Sequence, residues 1–349
     1  MVTGPPLTRL HTSGSRILDA AGTPFRIRAA NWFGLETASC APDGLWKISL
    51  DGGMTTIAGL GFNTIRLPYS SQCLQQRTPA TGIDATRNPD LQKKTPLQIM
   101  DAVVASARSH GLRVILDRHR PDSAAQSELW YTAAYPESTW IADWVMLAKR
   151  YRNDPAVVGA DLDNEPHGSA CWGCGVAARD WAAAAKRAGD AVGAADPHLL
   201  IIVEGIEKSA AGTYAQWGGE LQDVAAHPVV LGVAHQLVYS PHDFPSSVNM
   251  HPWFTAKNYP ANLPGMWDRN FGYLQKNNLA PVLLGEFGTK LESTSDRQWM
   301  GALVSYLDQN KMSFGYWAFN PEGNTGGLVE DDWSTPVGAK VTALQSLLK

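Results

Sequence analysis

The chain has 349 residues, 44% hydrophobic and 18% charged, enough for one large core. A net charge of −4 leaves no electrostatic footprint for nucleic acid or an anionic membrane. No run approaches the roughly 18 consecutive apolar residues of a membrane span.

In chain order, the first residues, Met1-Val2-Thr3-Gly4-Pro5-Pro6, have neither the basic nor the apolar part of an export signal. Residues 7–20, with turns at Gly14 and Gly22, predict a short hairpin. Residues 1–22 are thus read as an N-terminal segment closing the bottom of a domain that spans 23–349. Short β-rich runs follow at 25–31, 63–68, 112–119, 157–164, 199–204, 237–242, 282–287 and 314–320. Between them, apolar residues recur at helical spacing over 97–110, 139–151, 178–194, 296–310 and 337–348. Gly111 reads as a helix C-cap, and Pro155 and Pro197 follow helix ends. The polar, turn-rich insertion 70–95 is expected to wall a cleft. Alternating strands and helices argue a parallel sheet, and eight strands argue a closed α/β barrel, the (β/α)8 or TIM barrel, as a single domain. Neither G-x-G-x-x-G nor G-x-x-x-x-G-K-[ST] occurs, which counts against a nucleotide-binding open sheet.

Thirteen tryptophans are many for this length. Most are expected in the core, but Trp46, Trp172, Trp217 and Trp333 fall in loop-like contexts, where an exposed indole can stack on a sugar face. The spacing Cys171-Trp172-Gly173-Cys174 is compatible with a redox motif, half a zinc site or a loop-closing disulfide. His167 alone is thin support for zinc, so a disulfide is favoured. Cys40 with Cys73 is a second candidate bridge. Disulfides imply an exported protein. No cofactor or metal is implied, and a monomer is expected.

In a barrel of this kind, chemistry sits where strands empty into loops at the C-terminal face. The candidate strands end in Arg66, His119, Asn164 with Glu165, His242, Glu286 and Trp317. Singly, each has an ordinary structural explanation; together on one face they predict an active site. Two carboxylates facing each other across such a mouth are the machinery for cleaving a glycosidic bond.

The ordered segments Asn31-Trp32-Phe33-Gly34-Leu35-Glu36-Thr37, Gly61-Phe62-Asn63-Thr64-Ile65-Arg66-Leu67-Pro68 and Ile115-Leu116-Asp117-Arg118-His119-Arg120-Pro121-Asp122 carry a specific resemblance. It continues through Asn164-Glu165-Pro166-His167, Leu284-Gly285-Glu286-Phe287-Gly288 and Asn324-Thr325-Gly326-Gly327-Leu328. With these, nearly the whole chain resembles glycoside hydrolase family 5, and within it the bacterial endo-β-1,4-glucanases (cellulases). The resemblance implies a retaining double displacement on a β-glucan polysaccharide or oligosaccharide, with Glu165 as general acid/base and Glu286 as nucleophile. Such a pair needs carboxyl groups roughly 5–5.5 Å apart. It further implies that Arg66 holds Glu286 ionised and that Asn164 hydrogen-bonds the sugar 2-hydroxyl. His119 and His242 would bind hydroxyls and tune the acid, and Trp317 would stack under the sugar, with Trp46, Trp217 and Phe319 as further aromatic subsites.

Three positions depart from the family pattern. Phe244 stands where a tyrosine would donate to the nucleophile, a loss of about 1.5–3 kcal/mol if made fully in the transition state, or roughly ten- to hundred-fold in rate. Asp163 precedes the Asn-Glu pair in place of a basic residue. On an extended strand it would share a face with Asp161 and Glu165 and raise the pKa of Glu165, or else pair with a basic residue such as Arg118. Phe319 replaces a second tryptophan. A β-mannanase or other β-glucanase of the same family, and a catalytically impaired glucan-binding barrel, are the alternatives. A metal-dependent hydrolase is disfavoured, because no H-x-H or H-E-x-x-H arrangement occurs.

Overall fold

Runs such as Val157-Val158-Gly159-Ala160-Asp161 and Leu200-Ile201-Ile202-Val203-Glu204 form strands buried on both faces, the condition of a parallel sheet wrapped in helices. The computed structural model describes residues 7–321, 323 and 325–349. The signal-like test on residues 1–6 and Asn324 of the last family motif therefore lie outside the described residues. A hairpin, β1 (Leu10–Ser13) and β2 (Arg16–Asp19), precedes eight parallel strands. These are β3 (Arg28–Asn31), β4 (Thr64–Ser70), β5 (Arg113–Arg120), β6 (Val157–Asp161), β7 (Leu200–Glu204), β8 (Leu237–Ser240), β9 (Leu283–Phe287) and β10 (Ser313–Tyr316). They neighbour one another in the order β8-β7-β6-β5-β4-β3-β10-β9. Parallel bridges Tyr239 to Val282 and His242 to Glu286 join β8 to β9 and close the barrel. The predicted eight-stranded barrel is what the chain forms.

The helices are α1 (Leu50–Gly59), α2 (Ser71–Gln75), α3 (Pro96–Ser109), α4 (Glu137–Tyr151), α5 (Trp181–Ala195), α6 (Leu263–Trp267), α7 (Tyr273–Lys276), α8 (Thr294–Gln309) and α9 (Gly338–Leu344). Their starts follow local chemistry. The side chains of Ser49, Asp180 and Ser293 accept backbone N–H groups in the first turns of α1, α5 and α8, and Thr95 with Gln98 forms a capping box on α3. Two expectations need correction. Among the described residues, the connection from β7 to β8 holds only the 3-10 turn Gln222–Ala225, so strict alternation with eight helices fails there. Four strands also fall two or more residues short of the predicted bounds at one end: β3 begins at Arg28, and β6, β8 and β10 end at Asp161, Ser240 and Tyr316. The shortfall of β3 is at its lower end, beside the hairpin, whereas those of β6, β8 and β10 are at the C-terminal ends, where Asn164, His242 and Trp317 leave the ladder.

Alternation along the strands divides the barrel interior into levels. At the lower level Ile115, Val158, Leu200, Ile202, Val238 and Leu283 pack with Leu10 and Ile17 of the hairpin. Two residues above Ile115 and Ile202 stand Asp117 and Glu204, at the level of Arg66 and Asp161, all four fully buried. Outside the barrel, tryptophans of α4 and α5 finish the strand ends. The indoles of Trp140 and Trp144 donate to the Leu162 carbonyl, and Trp181 donates to that of Glu204. The apolar bodies of these rings fill the helix–sheet layer while their N–H groups satisfy carbonyls that have left the ladder.

Both candidate disulfides are formed, Cys40 with Cys73 and Cys171 with Cys174. The insertion 70–95 does not wall the catalytic cleft. It packs on the loop after β3, where Thr81 N–H donates to the Ser39 carbonyl and Asp84 N–H to that of Leu45, beside the Cys40–Cys73 bridge.

Candidate active site

A cleft of about 640 Å³ opens over the C-terminal ends of the strands, lined among others by His119, Glu165, Trp217, Phe244, Glu286 and Trp317. Beneath it lies Arg66 on β4, fully buried, with every guanidinium nitrogen engaged. Its Nε donates to Asp161 Oδ2 (2.8 Å) and its Nη1 to Glu286 Oε1 (2.5 Å) and Asn31 Oδ1 (2.9 Å). Its Nη2 donates to Glu204 Oε1 (2.9 Å) and Asn164 Oδ1 (3.1 Å) and lies 3.1 Å from Asp117 Oδ2. Four carboxylates around one fixed cation keep its pKa well above the usual range despite burial. Asp117, Asp161 and Glu204 are close enough together to cradle a cation, and the Arg66 guanidinium fills that place.

The closing strand pair puts His242 beside Glu286, and the ring sits between the two candidate catalytic groups. Its Nδ1 lies 3.0 Å from Glu165 Oε1 and 3.7 Å from Glu286 Oε2. An oxygen of each glutamate and a nitrogen of His242 all lie within 4.8 Å of one another. Close approach of the ring requires Gly285, since a Cβ there would fall 2.9 Å from His242 Nε2.

Glu165 lies beyond the end of β6 in the left-handed region, at φ +53°, uncommon for a residue with a side chain. Its amide donates to Glu204 Oε2 (2.7 Å), its carbonyl meets His167 Nδ1 (2.7 Å), and its Oε2 accepts from Gln126 Nε2 (3.2 Å). The reversal breaks strand alternation, so Asp163 does not reach Glu165. Asp163 pairs with Arg118 at 2.5 Å, and Asp161 goes to Arg66. The expected acidic push of Asp163 on Glu165 is therefore absent; pairing with Arg118 is what occurs.

Electrostatically the cleft behaves as one cluster whose protons belong to the group. Burial raises Glu286 to about 7 against the pull of His242 and Arg66. Burial would lower His242, but Glu204, Glu286 and Glu165 hold it well above its ordinary value. Burial would raise Glu165 too, yet its hydrogen bond to the charged His242 brings it below the usual carboxylate range. Both directions favour the pair of a charged His242 and an ionised Glu165, with Nδ1 3.0 Å from the Glu165 oxygen. His119 is held neutral, pushed by burial to about 3, with Nδ1 2.7 Å from Asp117 Oδ2 and Nε2 left for a ligand. Asn164 spends its carbonyl oxygen on Arg66 and leaves a buried Nδ2 without a partner, a donor waiting for an acceptor.

The aromatic candidates separate. Trp317 is half-buried in the cleft wall, its ring near-parallel to those of Phe33 (centroids 5.3 Å apart) and His119 (5.2 Å). Trp217 lines the cleft at 39% exposure, stacked on His167 at 3.8 Å. Trp46 is exposed but stands outside the cleft lining, edge-on to Trp333. Phe319 is fully buried between Trp32 and Trp333, and Trp172 and Trp333 are core residues too, so none of these three can serve as an open platform. Phe244 presents its ring to the cleft, and Glu286 Oε2 has no hydrogen-bond donor among the described side chains. Tyr239 turns away, its hydroxyl accepting from the Val229 amide.

Sequence reasoning overlooked Glu204, although it closes the run 199–204 just as Glu286 closes its own. It also overlooked Asn31, Asp117 and Asp161, which only pairing across strands brings to Arg66, and the loop residues Gln126, Glu207 and Asn249 of the cleft rim.

The family description "Cellulase (glycosyl hydrolase family 5)" matches residues 18–323. The chain is 48% identical to an endoglucanase of Paenibacillus polymyxa, covering 97% of this chain and 87% of that protein. It superposes on the catalytic domain of the major endoglucanase from Xanthomonas campestris pv. campestris with a TM-score of 0.92 at 41% identity, over 97% of this chain and 99% of that one. A cellotetraose complex of the endocellulase from Pyrococcus horikoshii gives a TM-score of 0.93 at 36% identity, covering 99% of this chain and 100% of that one. With that match over most of its length, and a barrel mouth built around two glutamates and an arginine, the chain belongs to the cellulases of glycosyl hydrolase family 5.

Proposed function

We propose that this protein is a retaining endo-β-1,4-glucanase that cleaves internal bonds of cellulose-like or mixed-linkage glucans. The observation that carries the reading is the clustering of Glu165, His242 and Glu286 within 4.8 Å at the floor of an open cleft. That spacing suits direct attack by a carboxylate and leaves no room for a water between the pair.

Arg66 holds Oε1 of Glu286, so Oε2 is the oxygen free to attack the anomeric carbon. As the C–O bond to the leaving sugar breaks, Glu165 delivers to the departing oxygen a proton it has taken from His242 Nδ1, and is left ionised. A glycosyl ester on Glu286 results. Water then enters from the vacated side, gives its proton to Glu165 and attacks the same carbon, releasing Glu286 and retaining configuration. Asn164 Nδ2 meets the sugar 2-hydroxyl, a bond that strengthens as charge develops in the ring. Trp317 stacks beneath one sugar at the point of cleavage, and Trp217 on the Glu165 side stacks on another. An open cleft admits a polymer mid-chain, consistent with endo action. The relative from Xanthomonas is named an extracellular enzyme; that name, the two disulfides and a polymeric substrate together support export. No helix among the described residues is long and apolar enough to cross a membrane.

The test is a panel of carboxymethylcellulose, mixed-linkage β-glucan, xyloglucan and β-mannan, read by reducing ends and by viscosity. Fast viscosity loss on the glucans supports the reading. Release from mannan alone moves the substrate class, and tight cello-oligosaccharide binding without any released sugar makes the protein a binder.

A further inference from the structure

Glu204 is a buried group beneath the cleft for which the reaction above has no task. It ends β7 with no exposed surface. The plain reading is a counter-ion for Arg66. That guanidinium already has Asp117, Asp161 and Glu286, three carboxylates for one charge, so neutrality does not call for a fourth. The other contacts of Glu204 lead elsewhere. Its Oε2 accepts the Glu165 amide at 2.7 Å, and its Oε1 lies 3.3 Å from His242 Nε2, an ion-pair distance with poorer alignment than a full hydrogen bond. Burial pushes Glu204 well above the usual carboxylate range, but the Arg66 guanidinium and the Glu165 amide can only donate to it, so the ionised carboxylate is the form that satisfies both. Room for it is kept by Gly218 at φ +71°, where a Cβ would fall 2.9 Å from Glu204 Oε2 and 3.4 Å from Glu165 Cγ.

We propose that Glu204 is a positioning residue for the proton transfer. It holds His242 with a proton on Nε2, so that Nδ1 is the atom exchanging a proton with Glu165, and it clamps the Glu165 amide in the left-handed turn that aims the acid. The proposal rests on the hydrolase reading for its kinetic consequence only.

The imidazole has Glu165 and Glu286 facing Nδ1 and Glu204 facing Nε2, with Arg66, Asp117 and Asp161 in the shell behind. An Nε2 lone pair turned to a carboxylate would be repelled, so Glu204 disfavours the tautomer protonated only on Nδ1. With Nε2–H fixed, Nδ1 either donates to an ionised Glu165 or accepts from a neutral one. One proton then moves over 3.0 Å with no ring flip.

Glu204→Gln and Glu204→Asp, assayed on carboxymethylcellulose across pH, test this together with 15N spectra of the His242 ring. For Glu204→Gln a kcat loss of about 100-fold or more is expected, in the range of general acid–base contributions, with KM within about threefold. The pH profile should shift by about one unit or more, and Glu204→Asp, which keeps the charge, should retain the wild-type profile at lower kcat. The wild-type spectrum should show Nε2 protonated throughout. An unchanged kcat in Glu204→Gln overturns the proposal, as does a loss that leaves the pH profile and His242 spectrum as in wild type, since packing alone would do that. If Glu204→Gln does not fold, the wild-type spectrum decides: a neutral ring protonated on Nδ1 overturns the assignment. Wild type inactive on every glucan would sink the hydrolase reading, and the spectrum would still judge Glu204.

Discussion

Two levels of one barrel interior follow the same alternation and do opposite jobs. The lower level, around Ile115, Leu200 and Ile202, is apolar and closed by the hairpin. The upper level, two residues further along the same strands, buries Arg66 among Asp117, Asp161, Glu204 and Glu286. Apolar packing at the bottom lowers the folded state's free energy. Burying like charges at the top raises it unless every lone pair finds a donor. The lesson is that stability and activity are separable by height along a strand.

The sharpest way to break that separation is Glu286→Ala. A loss of at least about 10⁴-fold in kcat is expected, as for removal of a catalytic nucleophile, with thermal unfolding equal to wild type or higher because a buried acid leaves. Unchanged activity would remove Glu286 from the nucleophile role. At the lower level, Ile202→Ala should do the reverse. It should destabilise by about 2–5 kcal/mol in denaturant titration while kcat per folded molecule stays within about twofold. A comparable activity loss would show that the two levels are coupled.

In the same cleft, Phe244→Tyr supplies the hydroxyl that the family pattern places there, and kcat should be equal or up to about tenfold higher, on the scale of a hydrogen bond to a charged group. A clear loss would mean that the pocket has been rebuilt around the phenyl ring. Trp217→Ala should raise KM for long oligosaccharides by several-fold, about 1 kcal/mol of lost stacking, with kcat nearly constant; an unchanged KM would remove Trp217 from the substrate path.

The smallest effect concerns pH. Burial raises Asp163, Asp243 and Glu220 to about 7, and Asp117 and Asp161 to about 6. A carboxyl whose folded pKa is raised binds a proton that the unfolded chain has released. Its contribution is complete below about pH 4 and is lost as pH climbs through 6 to 7. Asp84 and Asp308, held below the usual range by backbone and lysine or arginine contacts, act oppositely and lose their contribution in stronger acid. The Tm should therefore be a few degrees higher near pH 5 than at pH 8, and calorimetry showing a rise towards alkaline pH would contradict the buried-acid picture.

Most of the barrel was legible in one dimension, because a strand covered on both faces must be apolar throughout and a helix on its outside must alternate at 3.6. Arg66, Glu165 and Glu286 were legible for a related reason: ionisable groups ending apolar runs have few places to go but the mouth. What was not legible depended on where the backbone stops being regular. Asp163 looked like a neighbour of Glu165 under strand alternation, and the turn at φ +53° in Glu165 undid that. Phe319 looked like a subsite because it stands where the family pattern has a second tryptophan, yet it packs between Trp32 and Trp333 with no exposed surface.

The sequence by itself determined the eight strands, most of their alternation with helices and the two glutamates as candidates, since hydrophobic period and residue type are local properties. Only the tertiary structure decided that one arginine answers to four carboxylates, that His242 stands between Glu165 and Glu286, and that Glu204 reaches Arg66, His242 and the Glu165 amide at once. Those facts come from register between strands far apart in the chain, above all the closing pair of His242 with Glu286. Register is set by the packing of the whole barrel, which no single run of residues contains.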